Sequence, residues 1–196
     1  MIYYISDIHF GHRNVIGMDN RPFETIEEMD EILIHRWNER VIDEDDVYIV
    51  GDFAYRNGRT ADWYLKRLKG RKHLIIGNHD LATLRNAKAM ELFASVEKMN
   101  MVIDNGRMVS LCHYPVAEWN GKRHGGFHVH GHIHCRRDDV YTFMSRFDCA
   151  LNAGCMINDY RPATLDELIE NNLRFRNEAG MRVEGGETYE TEEHTK

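Results

Sequence analysis

The chain has 196 residues, 42% of them hydrophobic and 29% charged, which suits one compact domain and excludes a large multidomain assembly. Its 25 Lys and Arg against 32 Asp and Glu give a formal net charge of −7, which disfavours a broad basic surface for long nucleic acids. Its apolar runs fall far short of the roughly 18 residues that a transmembrane helix needs, so no membrane association is expected.

The predicted organisation is a single domain over residues 1–180, followed by an acidic C-terminal tail over residues 181–196 that is expected to be flexible. The N-terminal segment has no basic leader, and Asp7 ends its apolar run, which predicts a cytoplasmic location. The four cysteines form no Cys-x-x-Cys pair, and a chain of this length can build its own core, so reduced thiols are expected.

Five short apolar runs, rich in β-branched and aromatic residues, predict buried β-strands. They cover residues 1–6, 47–50, 73–76, 108–112 and 127–130. Helical patterns separate the earlier runs, which predicts a layered α/β core with partly parallel strands. The later runs lack long helical patterns between them, and this indicates an antiparallel portion.

The best-defined helical pattern begins at Thr25, which has Glu28 at the spacing of a capping box, and continues to about residue 40. Two further helices are predicted from about residue 60 to Gly70 and over residues 81–93. A fourth follows Pro162, where Thr164 starts a second capping box.

Side chains that can bind a metal ion follow each predicted strand within one to four residues. These are Asp7 and His9, then Asp52, then Asn78, His79 and Asp80, then His113, and finally His132 and His134. Because the carboxyl ends of parallel strands meet at one edge of a sheet, we expect these loops to converge on one site.

The spacing of these residues also indicates how they bind. Asp7 and His9 are two residues apart, so in an extended backbone they point the same way and can chelate one ion, and His132 and His134 repeat this spacing. Without His79 and Asp80, seven N and O ligands remain and none of them is a thiolate; seven are too many for one tetrahedral zinc but fit two sites that share a carboxylate. Asp52, alone on its loop, suits the bridging position.

In order and spacing these motifs resemble those of the calcineurin-like metallophosphoesterases, over about residues 1–135. The motifs are Asp7-Ile8-His9, Gly51-Asp52, Gly77-Asn78-His79-Asp80, His113 and Gly131-His132-Ile133-His134, and Gly-Asp-Phe-Ala points to a small bacterial or phage-type branch. The resemblance implies an α/β fold, with a two-layer β-sandwich of mixed sheets flanked by helices. It also implies a centre of two divalent metal ions, for which Mn²⁺, Fe²⁺, Zn²⁺ or Ni²⁺ suit the ligand types.

The resemblance further implies a role for each residue. The first metal would take Asp7, His9, Asp52 and His134, and the second would take Asp52, Asn78, His113 and His132. A hydroxide that bridges the two ions would attack phosphorus in a phosphomonoester or phosphodiester. His79 would assist the leaving group, and Asp80 would orient His79.

Substrate contacts are predicted at His12, Arg21 and Arg161. For the two arginines the reason is that a guanidinium matches the geometry of phosphate oxygens. The expected partner is a small organic phosphate or nucleotide. The sequence departs from the family pattern at Tyr55, where an acid or amide is common, and this leaves the surroundings of the ligands open.

Two other functions stay open at this point. The chain can be a catalytically silent metal-binding scaffold of the same fold, or a nuclease that acts on short nucleic acids. The histidine at position 79 favours an enzyme, because a scaffold has no use for a phosphate-facing histidine that binds no metal. Taken alone, the histidines between residues 128 and 134 are also typical of an adventitious metal-binding tract.

Overall fold

A computed structural model describes residues 1–56 and 58–178, so the predicted C-terminal tail lies outside the described residues. The described residues form two four-stranded sheets with helices beside them. The strands are β1 (Ile2–Ile5), β2 (Asp46–Ile49), β3 (Arg71–Ile75), β4 (Phe93–Glu97), β5 (Met99–Asp104), β6 (Arg107–Cys112), β7 (Phe127–His130) and β8 (Ala150–Asn152). The helices are α1 (Arg13–Met18), α2 (Ile26–Asn38), α3 (Ala61–Leu65), α4 (Leu81–Leu84), α5 (Ala87–Met90), α6 (Asp139–Met144) and α7 (Leu165–Glu178).

The first sheet has the order β1-β2-β3-β4, and all of its strands are parallel. The second sheet has the order β5-β6-β7-β8; β5 and β6 are antiparallel, whereas β6, β7 and β8 are parallel. The α/β architecture predicted from the sequence is therefore confirmed. The antiparallel portion is smaller than expected, because it consists of the single hairpin β5-β6.

All five predicted strands are present, with bounds that differ by at most two residues. The helix predicted over residues 81–93 is wrong, because that segment contains the two short helices α4 and α5 and the first residue of β4. Asn86 separates the two helices and caps the second, since its side chain accepts a hydrogen bond from the amide of Ala89.

Both predicted capping boxes mark real helix starts. Thr25 accepts a hydrogen bond from the amide of Glu28 at 3.1 Å, at the start of α2. Thr164 accepts from the amide of Glu167 at 3.3 Å, and the Glu167 carboxylate accepts from the Thr164 amide at 2.9 Å, so this box is closed in both directions.

Alternate side chains of β1 separate two hydrophobic layers. Tyr3 and Ile5 pack toward α2 and α3, in the layer that contains Trp37 and Tyr64. Tyr4 faces the other way and packs in the layer between the two sheets, which α7 closes. Because both faces of the first sheet are covered, its strands are apolar at successive positions. In the described part of the chain, no helix is both long enough and apolar enough to cross a membrane.

Asp30 of α2 fixes the loop that follows β1. Its carboxylate accepts hydrogen bonds from the amide of Gly11 at 3.1 Å and from the hydroxyl of Tyr64 at 2.7 Å. Burial outweighs both hydrogen bonds and raises the pKa of Asp30 to about 6. At neutral pH the ionised Asp30 carboxylate therefore destabilises the folded state, although its hydrogen bonds hold the loop that carries His9 in place.

Replacing Asp30 with Asn is expected to change how stability depends on pH. The folded state holds the Asp30 proton more tightly than the unfolded chain, so its contribution to stability is greatest at low pH and decreases as the pH rises to about 6. Relative to the wild type, Asp30→Asn should therefore gain about 2 to 4 kcal/mol between pH 4 and pH 7.5. Urea unfolding at several pH values in the presence of chelator measures this difference, and the exposed Asp43→Asn is the control. If the unfolding free energies of wild type and Asp30→Asn change with pH in parallel, the pKa of Asp30 is not raised in the folded state.

Candidate metal centre

The predicted ligands gather where the parallel strands of both sheets end. Asp7 and His9 follow β1, Asp52 follows β2, and Asn78 follows β3. The second sheet contributes His113 after β6 and the pair His132 and His134 after β7. Backbone bonds hold the loops together, since the amide of Asp7 donates to the Gly51 carbonyl at 3.1 Å and that of Gly131 donates to the His113 carbonyl at 2.9 Å.

The backbone at these residues is strained in a consistent way. Five of the seven predicted ligands have a positive φ without being glycine: Asp7 (53°), His9 (55°), Asp52 (57°), His132 (71°) and His134 (52°). Such conformations cost of order 1 kcal/mol or more each and cluster at functional sites, where surrounding contacts enforce them. The extended backbone predicted for Asp7 and His9 is therefore wrong, although their side chains do converge.

Four side chains form one candidate metal-binding cluster: Asp7, His9, Asp52 and His134 each offer a donor atom, and these atoms all lie within 4.8 Å of one another. The Nε2 atoms of His9 and His134 are 3.3 Å apart. His9 Nε2 is 3.5 Å from Asp52 Oδ2, and His134 Nε2 is 3.6 Å from Asp7 Oδ1. Donors around one divalent ion with bonds of about 2.1 Å must be separated by distances of this size.

A second group of donors lies next to this cluster and shares Asp52 with it. Oδ1 of Asn78 is 2.9 Å from His113 Nε2 and 2.9 Å from His132 Nδ1. The same Asp52 oxygen that faces His9 is 3.5 Å from His113 Nε2. His132 and His134 therefore face different donor groups, and the prediction from their spacing that they chelate one ion is wrong.

The proton positions on two histidines favour a cation between these donors. Nδ1 of His113 donates to the Val50 carbonyl at 2.9 Å, and Nδ1 of His134 donates to the Asp19 carboxylate at 2.8 Å. In neutral imidazole the opposite atom, Nε2, then carries a lone pair. Each Nε2 faces carboxylate or amide oxygens, which are also acceptors. Such an arrangement is stable with a divalent cation at its centre, so the residues present fit the metal.

The charge states of the cluster agree with metal binding. Burial, followed by the neighbouring His134, lowers the pKa of His9 to about 2, so its imidazole is neutral and can act as a ligand. Burial raises the pKa of Asp52 to about 6, although His113 opposes the shift. Both carboxylates of the cluster are almost fully buried, with exposed fractions of 0% for Asp7 and 1% for Asp52. Buried carboxylates normally pair with cations, and a bound divalent ion would supply that charge here.

A residue that the sequence analysis missed orients one of the ligands. Asp19 ends α1, and its carboxylate contacts Nδ1 of His134 and the guanidinium of Arg21 at 2.8 Å each. Burial opposes the shift, but the hydrogen bond to Asp19 raises the pKa of His134, and the same bond lowers the pKa of Asp19. A carboxylate that fixes the tautomer and orientation of a histidine ligand is common in metal sites.

Arg21 lies beneath the site. Its guanidinium donates to the carbonyl of Asp7 at 2.8 Å and to that of Ile8 at 2.9 Å, besides its bonds to Asp19. The side chain is completely buried. These contacts favour a positioning role for Arg21 over the predicted contact with substrate phosphate.

Arg161, predicted to contact substrate, lines a surface cavity with Arg36, Glu39, Arg40 and Asp159. Its guanidinium is 3.7 Å from Asp159, and none of the seven predicted metal ligands lines this cavity among the residues that the structure describes. His12, the third predicted contact, lies close to the cluster, with its ring 5.4 Å from that of His9. The structure thus brings His12, but not Arg161, near the metal ligands.

His79 also lies beside the cluster, but Asp80 does not orient it as expected. The His79 ring is exposed and lies 5.4 Å from the His9 ring, while its amide donates to Asp52 Oδ1 at 2.8 Å. The buried Asp80 carboxylate accepts hydrogen bonds from the amides of Gly77, Asp52 and Phe53 at 2.7 to 2.9 Å. Asp80 therefore holds the loops after β2 and β3 together, and in the described part of the chain its carboxylate forms no hydrogen bond with the His79 side chain.

Gly51 leaves no space for a side chain between the two sheets. Its φ is +87°, and a Cβ at this position would lie 2.2 Å from Nδ1 of His113 and 2.9 Å from Cα of Gly77. The loop after β2 can therefore pass directly beneath His113 only with glycine at this position. This contact sets the distance between Asp52 and His113.

Comparison with known proteins identifies the family. The family model for calcineurin-like phosphoesterases matches residues 1–172, and the chain belongs to this family. It is 33% identical over 171 residues to the uncharacterized protein MJ1445 of Methanocaldococcus jannaschii, which covers 86% of this chain and 89% of that protein. It is also 29% identical over 161 residues to the Gene 66 protein of Mycobacterium phage D29, covering 69% of this chain and 79% of that protein.

Among solved structures, a protein of unknown function from Aquifex aeolicus, AQ665, shares the fold. It superposes with a TM-score of 0.67 at 24% sequence identity, and the match covers 87% of this chain and 98% of that one. This likeness supports the fold alone. The family generally consists of phosphoesterases that use divalent metals. A candidate metal-binding cluster that includes Asp52 agrees with that chemistry.

Proposed function

We propose that the chain is a dinuclear, metal-dependent phosphoesterase that hydrolyses a phosphomonoester or phosphodiester. The observation that supports this most strongly is the position of Asp52. One of its oxygens, Oδ2, lies 3.5 Å from a histidine of each donor group, His9 and His113. A carboxylate in this position would offset the repulsion between two neighbouring cations, and two such cations would attract a phosphate.

Two bound divalent ions would supply Lewis acidity and a hydroxide nucleophile at neutral pH. The chain's own residues hold the site in place. Asp19 and the Val50 carbonyl keep the Nδ1 protons of His134 and His113 and so direct both Nε2 atoms to the site. Asp80 fixes the relative positions of the loops that carry Asp52 and His79. The exposed His79 ring lies at the open side, where it can donate a proton to a leaving oxygen.

The proposed substrates are small organic phosphates or nucleotides. A chelator-stripped preparation, reloaded with Mn²⁺ and screened against mono-, di- and cyclic phosphates, tests the reaction class directly. We expect hydrolysis that depends on added metal. Absence of hydrolysis with Mn²⁺, Fe²⁺, Zn²⁺ and Ni²⁺ would favour the scaffold function instead. The four cysteines are unpaired, which supports a cytoplasmic location as part of the proposal.

Replacing His79 with Ala is expected to lower turnover without loss of metal. The side chain is exposed and binds neither donor group, so both ions should be retained. Loss of a general acid should reduce the rate by about 10² to 10⁴-fold for alkyl phosphates, whose leaving groups need a proton, and less for nitrophenyl phosphates. Steady-state kinetics with both substrate types measures this difference. Equal losses for both leaving groups would show that His79 does not protonate the leaving oxygen.

A further inference from the structure

A large surface cavity, which we call the cationic cavity, lies beside the candidate metal centre. It has a volume of about 650 Å³ and is bounded by the loop after β2 and by α4 and α5. The loop is anchored next to the site, because the amide of Tyr55 donates to the Phe10 carbonyl at 2.8 Å. This volume is sufficient for a nucleotide-sized group.

Tyr55 joins the cationic cavity to the site. It is one of the lining residues, and its ring stacks on that of His12 with centroids 3.9 Å apart. The Tyr55 ring is also 6.3 Å from that of His79. A molecule whose phosphate lies at His79 can therefore extend past Tyr55 into the cavity.

The lining of the cavity is strongly basic. Its four cationic side chains are Arg56, Arg59, Arg85 and Lys88. Within residues 1–56 and 58–178, none of them forms an ion pair within 4.0 Å of a carboxylate. This concentration of positive charge stands out in a chain whose formal net charge is −7. Unpaired cations around a concave surface attract an anion.

Other contacts in the cavity leave these cations available. The acidic lining residue, Asp62, accepts a hydrogen bond from Asn86 at 2.8 Å and pairs with Lys66 at 3.3 Å, so its charge is already compensated. The guanidinium of Arg59 lies 5.5 Å from the Trp63 ring, a distance that allows a cation–π contact. The buried hydroxyl of Thr83, another lining residue, has no hydrogen-bond partner in the described part of the chain.

We propose that the cationic cavity binds a second phosphate of the substrate, so that the substrate of this phosphoesterase carries at least two linked phosphates. This inference rests on the proposed function for the position of the first phosphate. A short oligonucleotide and a nucleoside polyphosphate offer the same chemistry, since in both a second anionic phosphate follows the first. Arg85 and Lys88, on or next to the two short helices, would bind it as charge-assisted donors.

The test is a binding measurement with the double variant Arg85→Ala/Lys88→Ala. Two fluorescent probes separate the sources: a 5′-phosphorylated thymidine trinucleotide with phosphorothioate linkages, and a labelled adenosine diphosphate. The matched control is Lys98→Ala/Arg146→Ala, which removes two exposed cations that do not line the cavity. Fluorescence anisotropy of the Mn²⁺-loaded full chain gives Kd at several salt concentrations.

For at least one probe, we expect the cavity variant to bind about tenfold more weakly than the control variant. The slope of log Kd against the logarithm of the salt concentration should decrease by about one to two, because each lost phosphate contact lowers this slope. The probe that loses affinity identifies the source of the second phosphate. No binding of either probe to the wild type, or equal losses in the cavity and control variants, would overturn the proposal.

Hydrolysis of bis(4-nitrophenyl) phosphate separates this inference from the proposed function. The probe has one phosphate, so the cavity variant should hydrolyse it at the wild-type rate. If the wild type hydrolyses neither this diester nor the monoester 4-nitrophenyl phosphate, the proposed function is contradicted, and the binding result alone decides whether the cavity holds a phosphate. A loss of this hydrolysis in the cavity variant alone would show that Arg85 and Lys88 support the metal centre itself, which contradicts the proposal.

Discussion

Replacing Asp52 with Asn is expected to lower phosphoesterase activity by about 10³-fold or more and to release at least one of the two metal ions. The amide is nearly isosteric, and its oxygen can still accept the hydrogen bond from the His79 amide, so the fold should persist. It lacks the negative charge, however, and two neighbouring cations then repel each other without an anion between them. Metal content after gel filtration and initial rates with saturating Mn²⁺ measure both effects.

The matched control for this variant is Asp43→Asn, which makes the same chemical change at an exposed position outside the site. It should keep the wild-type metal content and rate. If Asp52→Asn binds as much metal as this control and hydrolyses the same substrate equally well, Asp52 does not bridge two ions.

Replacing Gly51 with Ala is expected to disturb the fold and the metal centre together. The added methyl group would lie 2.2 Å from Nδ1 of His113, and the backbone φ of +87° disfavours any side chain. His113 must then move away from the Val50 carbonyl, and Asp52 moves away from His113. We expect a loss of about 2 to 4 kcal/mol in unfolding free energy, together with weaker metal binding.

Gly17→Ala is the control for the alanine substitution itself. Gly17 lies in α1, and apart from its chain neighbours and the backbone of its own helix, no heavy atom of the described residues lies within 4 Å of the place a Cβ would occupy. Alanine should there be neutral or stabilising by up to about 1 kcal/mol, because it favours helix. Urea unfolding of both variants in chelator measures the structural part, and metal titration measures the rest. Equal stability of the two variants would show that a methyl group at position 51 does not disturb the packing between the two sheets.

The five strands that precede the predicted ligands could be recognised in the sequence, whereas β4, β5 and β8 could not. Each ligand follows a strand whose apolar residues are buried on both faces, and such runs are visible in a sequence. β5 escaped notice because its exposed positions are apolar, at Met99, Met101 and Ile103, which reverses the usual pattern of a half-buried strand. β8 has three residues, too few to form a pattern.

The residues that support the ligands were harder to predict for a different reason. Asp19 acts through a contact with His134 that spans 115 positions of the sequence, and nothing next to Asp19 indicates a strand end. Asp80 is adjacent to His79 in the sequence, and this position suggested that the two side chains are in contact. In the structure the Asp80 carboxylate instead accepts hydrogen bonds from three backbone amides. Residue type and spacing indicate which side chains can bind a metal, but not which of them hold the loops.

The backbone conformation of the site also could not be predicted from residue type and spacing. The spacing of Asp7 and His9 correctly predicted convergence, but through an extended backbone that is not present. Left-handed conformations at non-glycine residues are enforced by tertiary contacts, such as the bond from the His132 amide to the Asp7 carboxylate at 3.0 Å. These contacts join the two sheets, so they follow from the fold rather than from local sequence.

The most direct test is a crystal grown with Mn²⁺ and measured for anomalous scattering at the manganese edge. Two peaks should be present, one among Asp7, His9 and His134 and the other among Asn78, His113 and His132, with the Asp52 carboxylate between them. A single peak, or none, from protein that elemental analysis shows to be fully loaded would contradict the dinuclear centre.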